Sequence, residues 1–83
     1  MKTRILVVDD SVIDRMIISN MLIDFDVKEA SNGIEALNAI DEDPDIDLVI
    51  LDLFMPEMTG FELLTLLSSD EKYSRVRIAY LFQ

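Results

Sequence analysis

Two short stretches of this chain are apolar without interruption, Ile5-Leu6-Val7-Val8 and Leu48-Val49-Ile50-Leu51, and each runs straight into aspartate. A continuous, partly β-branched run of this length is the pattern of a strand buried on both faces of a parallel sheet. Between and after them the apolar positions recur at three- and four-residue intervals, which is helical spacing. Val12, Ile13, Met16, Ile17, Met21 and Leu22 form the first such stripe, opened by Ser11 and Asp14 at the spacing of a capping box. Ile34, Leu37 and Ile40 form the second, with Asn32 and Glu35 at the same cap spacing and Asn32-Gly33 as a turn. Phe61, Leu63, Leu64, Leu66 and Leu67 form the third, behind Thr59 and Glu62. A polar stretch at Asp26 to Ala30 predicts a weak strand, and Val76 to Phe82 predicts a last one. Pro44 ends the second helix by disfavouring helix at Asp43, and the charges of Asp41 to Asp45 read as a solvated loop.

The order strand-helix-strand-helix-strand-helix-strand implies parallel pairing, hence an α/β fold with a doubly wound parallel sheet of about four strands and three helices. The 83 residues form one domain in this reading, with neither repeat nor linker. Composition narrows the chemistry. About half of the residues are apolar, which is globular rather than disordered. The absence of Cys and His removes disulfides, thiolate metal sites and imidazole acid–base chemistry. A net charge of −10, with seven scattered basic residues, argues against direct nucleic acid binding. No apolar run reaches the ~20 residues of a membrane span, so a cytoplasmic address is expected.

Ligands of open α/β sheets bind beyond the carboxyl ends of the strands, where strand order reverses. Asp9 and Asp10 follow the first strand and Asp52 follows the third. If these strands are neighbours, three carboxylates share one crevice, where like charges oppose one another unless a cation is present. Mg²⁺ suits that set, because it takes one or two carboxylates and keeps water or phosphate oxygens elsewhere. Taken singly, Asp9 and Asp10 read equally well as charges favouring a helix N-terminus. Ser11 reads as a cap, and Met55 and Met58 read as packing residues.

The segments Ile5 to Ser11, Ala30 to Leu37 and Leu48 to Leu64 together resemble the signature blocks of response-regulator receiver domains, in the right order and spacing over nearly the whole chain up to Ser69. The resemblance implies an incomplete flavodoxin-like fold and a phosphoacceptor role in two-component phosphorelay signalling, not an enzyme's role beyond self-catalysed phosphorylation and dephosphorylation. Asp52 would take the phosphoryl group from a sensor histidine kinase or phosphotransfer protein. Asp10 would bind Mg²⁺ directly, Asp9 would assist, and the backbone carbonyl of Phe54 would add a ligand. Pro56 and Gly60 would shape the flanking loop.

The chain departs from that family where a hydroxyl residue usually ends the fourth strand, since Ile78 to Gln83 offers none there. The usual fifth strand, its lysine and the last helices are expected to be missing, and Lys72 reads as a surface residue instead. The usual hydroxyl-driven switch is therefore not expected to operate. One sheet face beside the first helix should be uncovered and the fourth strand should be an open edge, favouring homodimers, segment swapping or aggregation. Val12, Ile13, Met16 and Ile17 are either partner contacts or core. The alternative function is a pseudo-receiver, an interaction module without productive phosphorylation. A hydrolase using Asp52 as nucleophile ranks lower, because no general acid or cap domain is evident. A nucleotide-binding domain ranks lower still, without a glycine-rich loop after the first strand.

Overall fold

The computed structural model describes residues 2–52 and 60–81. Along the chain these form β1 (Arg4–Val8), α1 (Val12–Met21), β2 (Asp26–Ala30), α2 (Gly33–Glu42), β3 (Ile46–Asp52), α3 (Gly60–Ser69), a single 3-10 turn at Glu71–Tyr73, and β4 (Arg77–Leu81). The four strands make one sheet in the order β2-β1-β3-β4, with every pairing parallel. The chain steps from β1 to one side and then returns to the other, so β1 and β3 flank the point where strand order reverses. A parallel sheet with helices in its crossovers is the doubly wound α/β arrangement the residue pattern implied.

The helix caps use the predicted residues with altered partners. The Ser11 hydroxyl accepts the Asp14 N–H at 3.2 Å, but the Ser11 N–H goes to Asp9 Oδ1 at 3.0 Å rather than back to Asp14. The Asn32 side chain accepts the Glu35 N–H at 2.8 Å. Glu35 in turn accepts from the N–H and hydroxyl of Ser31, at 2.9 and 2.8 Å, one residue beyond a capping box. Those bonds hold the Glu35 carboxyl below its ordinary range. Thr59, the expected cap of α3, lies outside the described residues, and Gly60 is the first residue of α3.

Alternation along β1 divides its burial between two layers. Leu6 and Val8 join Val49 and Leu51 of β3, Ala36 and Ile40 of α2, and Leu63 and Leu67 of α3 in one buried cluster. Tyr73 and Val76 close that cluster from the segment before β4. The stretch at 68–74, polar in most of its residues, is more than a solvated loop. The Asp70 side chain caps the 3-10 turn by accepting the Lys72 N–H, and the turn drives Tyr73 inward. Its hydroxyl donates to Asp41 at 2.8 Å, which satisfies the one polar atom that burial would otherwise strand.

Ile5 and Val7 are buried on the opposite face, where α1 runs against β1. No residue of α1 is itself buried. Val12, Ile13, Met16, Ile17 and Met21 are exposed, Ile13 at 69% and Met21 at 77%, so they are not core. On that side of the sheet Ala79 of β4, level with Ile50, is exposed, and Leu48 and Ile50 are half-buried. Among the described residues β4 is the last strand on its side of the sheet.

Two readings of charge also change. The Asp41 to Asp45 segment is not uniformly solvated: Asp43 is buried, with Arg4 Nη1 2.9 Å from both its oxygens and Lys28 Nζ at 2.9 Å. The Lys28 bond holds the Asp43 carboxyl below its ordinary range against the effect of burial, and the Asp45 N–H and Arg4 act in the same direction. The basic residues are not scattered either. Lys2, Arg4 and Arg75 line one shallow pocket with Asp45 and Asp47 at the amino edge of the sheet. Lys72 is exposed, as expected of a surface residue, but it pairs with Asp41 at 3.2 Å and lies 5.0 Å from the centre of the Tyr73 ring.

Candidate functional site

β1 and β3 pair so that Val8 is level with Leu51, which brings the residues that follow them, Asp9 and Asp52, to the same edge. Asp9, Asp10 and Asp52 each offer a carboxylate oxygen, and the three oxygens lie within 4.8 Å of one another. Asp9 and Asp52 are 1% and 2% exposed while Asp10 faces solvent, so the crevice has two buried walls and one open one. Asp52 is the last residue of β3, and it is buried together with Ile46, Val49 and Leu51 of that strand.

Asp9 is held from several directions. Its N–H donates to the Ala30 carbonyl of β2 at 3.1 Å, its own carbonyl accepts from Arg15 Nη1 at 2.6 Å, and Oδ1 accepts the Ser11 N–H. Its second carboxylate oxygen, Oδ2, is buried without a hydrogen-bond partner among the described residues. Burial pushes the Asp9 carboxyl above the ordinary aspartate range. The charges of Asp52, Asp14 and Asp10 push it further, and the Ser11 N–H opposes them. A buried acceptor without a donor costs free energy unless a ligand satisfies it.

An all-oxygen set of carboxylates, one solvent-facing, with an orphaned buried oxygen, has the donor chemistry of a hard divalent cation. The residues present therefore fit Mg²⁺. Among the other expected site residues, Phe54 and Pro56 lie outside the described residues, as do Met55 and Met58. On β4 the residue in register with Asp52 is Leu81, a residue without a hydroxyl. Arg15 and Glu29 had been given no role on the sequence. Arg15 Nε is 3.1 Å from Glu29 Oε1, and the pair lies beside the Asp9 carbonyl. What hid them is that they meet across 14 positions of sequence.

Comparison with known proteins is consistent across sequence and structure. The family model of the response regulator receiver domain matches residues 5–81. A chemotaxis protein CheY homolog of Campylobacter jejuni is 40% identical over 78 residues, which is 90% of this chain and 60% of that protein. The two-component response regulator ORR11 of Oryza sativa is 36% identical over 76 residues, 89% of this chain and 52% of that protein. Chemotaxis protein CheY4 of Vibrio cholerae superposes with a TM-score of 0.87 at 33% identity, over 96% of this chain and 68% of that one. The N-terminal domain of a response regulator receiver protein from Methanoculleus marisnigri gives 0.89 at 33% identity, over 95% and 65%. The chain thus spans between about half and two-thirds of the length of these curated relatives.

Proposed function

This chain belongs to the response regulator receiver domain family, whose members are signalling modules rather than true enzymes, and from that membership we propose that it is a phosphoacceptor. In this reading Asp52 takes a phosphoryl group from a phosphohistidine on a sensor histidine kinase or phosphotransfer protein. An Asp52 carboxylate oxygen attacks phosphorus, the P–N bond breaks, and the electron pair leaves with the imidazole nitrogen. The product is an acyl phosphate, for which a carboxylate is a competent nucleophile. Asp9, Asp10 and Asp52 would hold Mg²⁺, with the Phe54 carbonyl as a further ligand, and Pro56 and Gly60 would shape the adjoining loop. Mg²⁺ held there would supply positive charge to offset that on the phosphoryl oxygens. The address in this reading is cytoplasmic, with no direct contact to nucleic acid.

The observation that carries the reading is the convergence of Asp9, Asp10 and Asp52 at the carboxyl edge, with one Asp9 oxygen buried and without a partner among the described residues. A nucleophile and a cation site made of the same few carboxylates suit phosphoryl transfer better than hydrolysis, which also needs a positioned general acid. One observation favours a second reading. Leu81 stands in register with Asp52, where the resemblance calls for a hydroxyl nearby on the fourth strand. That favours a pseudo-receiver, an interaction module in which the acidic crevice no longer accepts phosphate.

Titration with beryllofluoride, a phosphoryl mimic, separates the two when followed by amide NMR with and without Mg²⁺. The phosphoacceptor reading expects shifts around Asp9, Asp10 and Asp52 that require Mg²⁺ and vanish in Asp52→Asn. A folded protein that responds to neither ion supports the interaction module instead.

A further inference from the structure

Six of the seven basic residues serve the opposite side of the molecule. Arg4 and Lys28 bond Asp43, Lys72 bonds Asp41, Lys2 and Arg75 line the amino-edge pocket, and Arg77 opens β4. Arg15 is the exception. It lies in α1, where side chains lean back toward the helix N-terminus, and its guanidinium reaches past the first turn to the loop that carries Asp9 and Asp10. Its side chain is 14% exposed, well covered for an arginine on a helix with no buried residue.

We infer that Arg15 is a positioning residue of the acidic site, acting through the Asp9 backbone with Glu29 as its brace. The inference rests on the Mg²⁺ site proposed above. The guanidinium presents two different nitrogens to two different elements. Nη1 donates to the Asp9 carbonyl at 2.6 Å, and Nε pairs with Glu29 Oε1 of β2 at 3.1 Å. A planar fork held at two points has its orientation fixed, which a flexible ammonium does not achieve.

The consequence falls on Asp9. Its N–H is tied to Ala30, its carbonyl to Arg15 and its Oδ1 to the Ser11 N–H, and Oδ2 is left without a partner among the described residues, on a carboxylate that converges with Asp10 and Asp52. With three of its polar groups fixed, the direction of the fourth is set before any cation arrives. Metal ligands are commonly oriented in this way by partners that never touch the metal. Arg15 makes its bond to the backbone of Asp9 rather than its carboxylate, so it steadies the ligand without neutralising it.

The test uses the intact chain and the variants Arg15→Lys and Arg15→Met, the second keeping the aliphatic stem. Hydrogen exchange at the Ser11 amide is measured without metal, Mg²⁺ affinity by calorimetry, and folding by the thermal midpoint. Positioning predicts faster Ser11 exchange and Mg²⁺ binding weakened about tenfold in Arg15→Met, with the midpoint little changed. Arg15→Lys should restore neither, because one ammonium does not span both partners. Should Arg15→Met prove too unstable, Arg15→Lys carries the same comparison. Unchanged Mg²⁺ affinity and unchanged Ser11 exchange in a folded variant overturn the inference. Full rescue by Arg15→Lys overturns it too, since charge alone would then suffice. Failure of the unaltered protein to bind Mg²⁺ instead overturns the proposed site, and this inference with it.

Discussion

Asp9 shows why a buried carboxylate at the end of a strand is informative. One of its carboxylate oxygens holds the Ser11 N–H, but the other is buried without a partner among the described residues, and burial pushes the carboxyl upward. Because its folded pKa is raised, the stability linked to Asp9 is fully present below the unfolded value of about 4 and is lost as pH rises through the raised value. Asp9→Asn keeps an oxygen for the Ser11 N–H and removes the charge. It should raise the thermal midpoint of the metal-free protein at neutral pH and weaken Mg²⁺ binding about tenfold or more. A lower midpoint would mean that the Asp9 carboxylate is held by favourable contacts after all. For the unaltered protein, Mg²⁺ should raise the midpoint at neutral pH, and that gain should fade as acid protonates the site. Differential scanning fluorimetry across pH with and without Mg²⁺ measures both.

Among the elements, those whose residues advertise a period or a cap were legible. β1 and β3 follow from their unbroken apolar runs, and α1 and α2 begin at Ser11 and Asn32 because those side chains accept backbone N–H groups. Even β2 falls at Asp26–Ala30, although its polarity made it weak, since only Ala30 is buried in a strand at the sheet edge. The convergence of Asp9, Asp10 and Asp52 was also readable, because strand ends and parallel order fix the edge they share. Tyr73 and Asp43 were not. Their burial depends on partners about 30 or more positions away, Asp41 for one and Arg4 for the other, and local pattern carries no trace of such pairs. The stripe of α1 misled for a related reason: periodicity says that Val12, Ile13, Met16 and Ile17 share a face but not whether anything covers it. Two substitutions separate these cases by chemical denaturation. Leu63→Ala, in a fully buried position of α3, should cost ~2–5 kcal/mol. Ile13→Gln, on the exposed stripe, should change stability by no more than about 0.5 kcal/mol. A large loss at Ile13 would show that the stripe is covered in solution.

At the scale of the whole molecule, charge and apolar surface pull in opposite directions. A net charge of −10 opposes association of copies, while the exposed apolar stripe of α1 favours it. Self-association should therefore strengthen with added salt, which screens repulsion but not apolar contact, and Ile13→Gln should weaken it. Sedimentation velocity over a concentration series tests this, and a monomer at every salt level would contradict it. Acid should act on the paired carboxylates at both edges of the sheet. Asp43, Asp41 and Glu35 are all held below the ordinary carboxylate range, by Lys28, by the Tyr73 hydroxyl and by the Ser31 donors respectively. Their contribution is present above the unfolded value of about 4 and is lost as pH falls through the lower folded values. Asp43→Asn should accordingly lower stability at neutral pH and flatten the loss on acidification.

The phosphoacceptor reading is tested most directly by intact-mass analysis of the folded protein after incubation with acetyl phosphate, with and without Mg²⁺. The account predicts one phosphoryl increment that requires Mg²⁺ and disappears in Asp52→Asn. No increment in the folded protein, or one that survives Asp52→Asn, would contradict it.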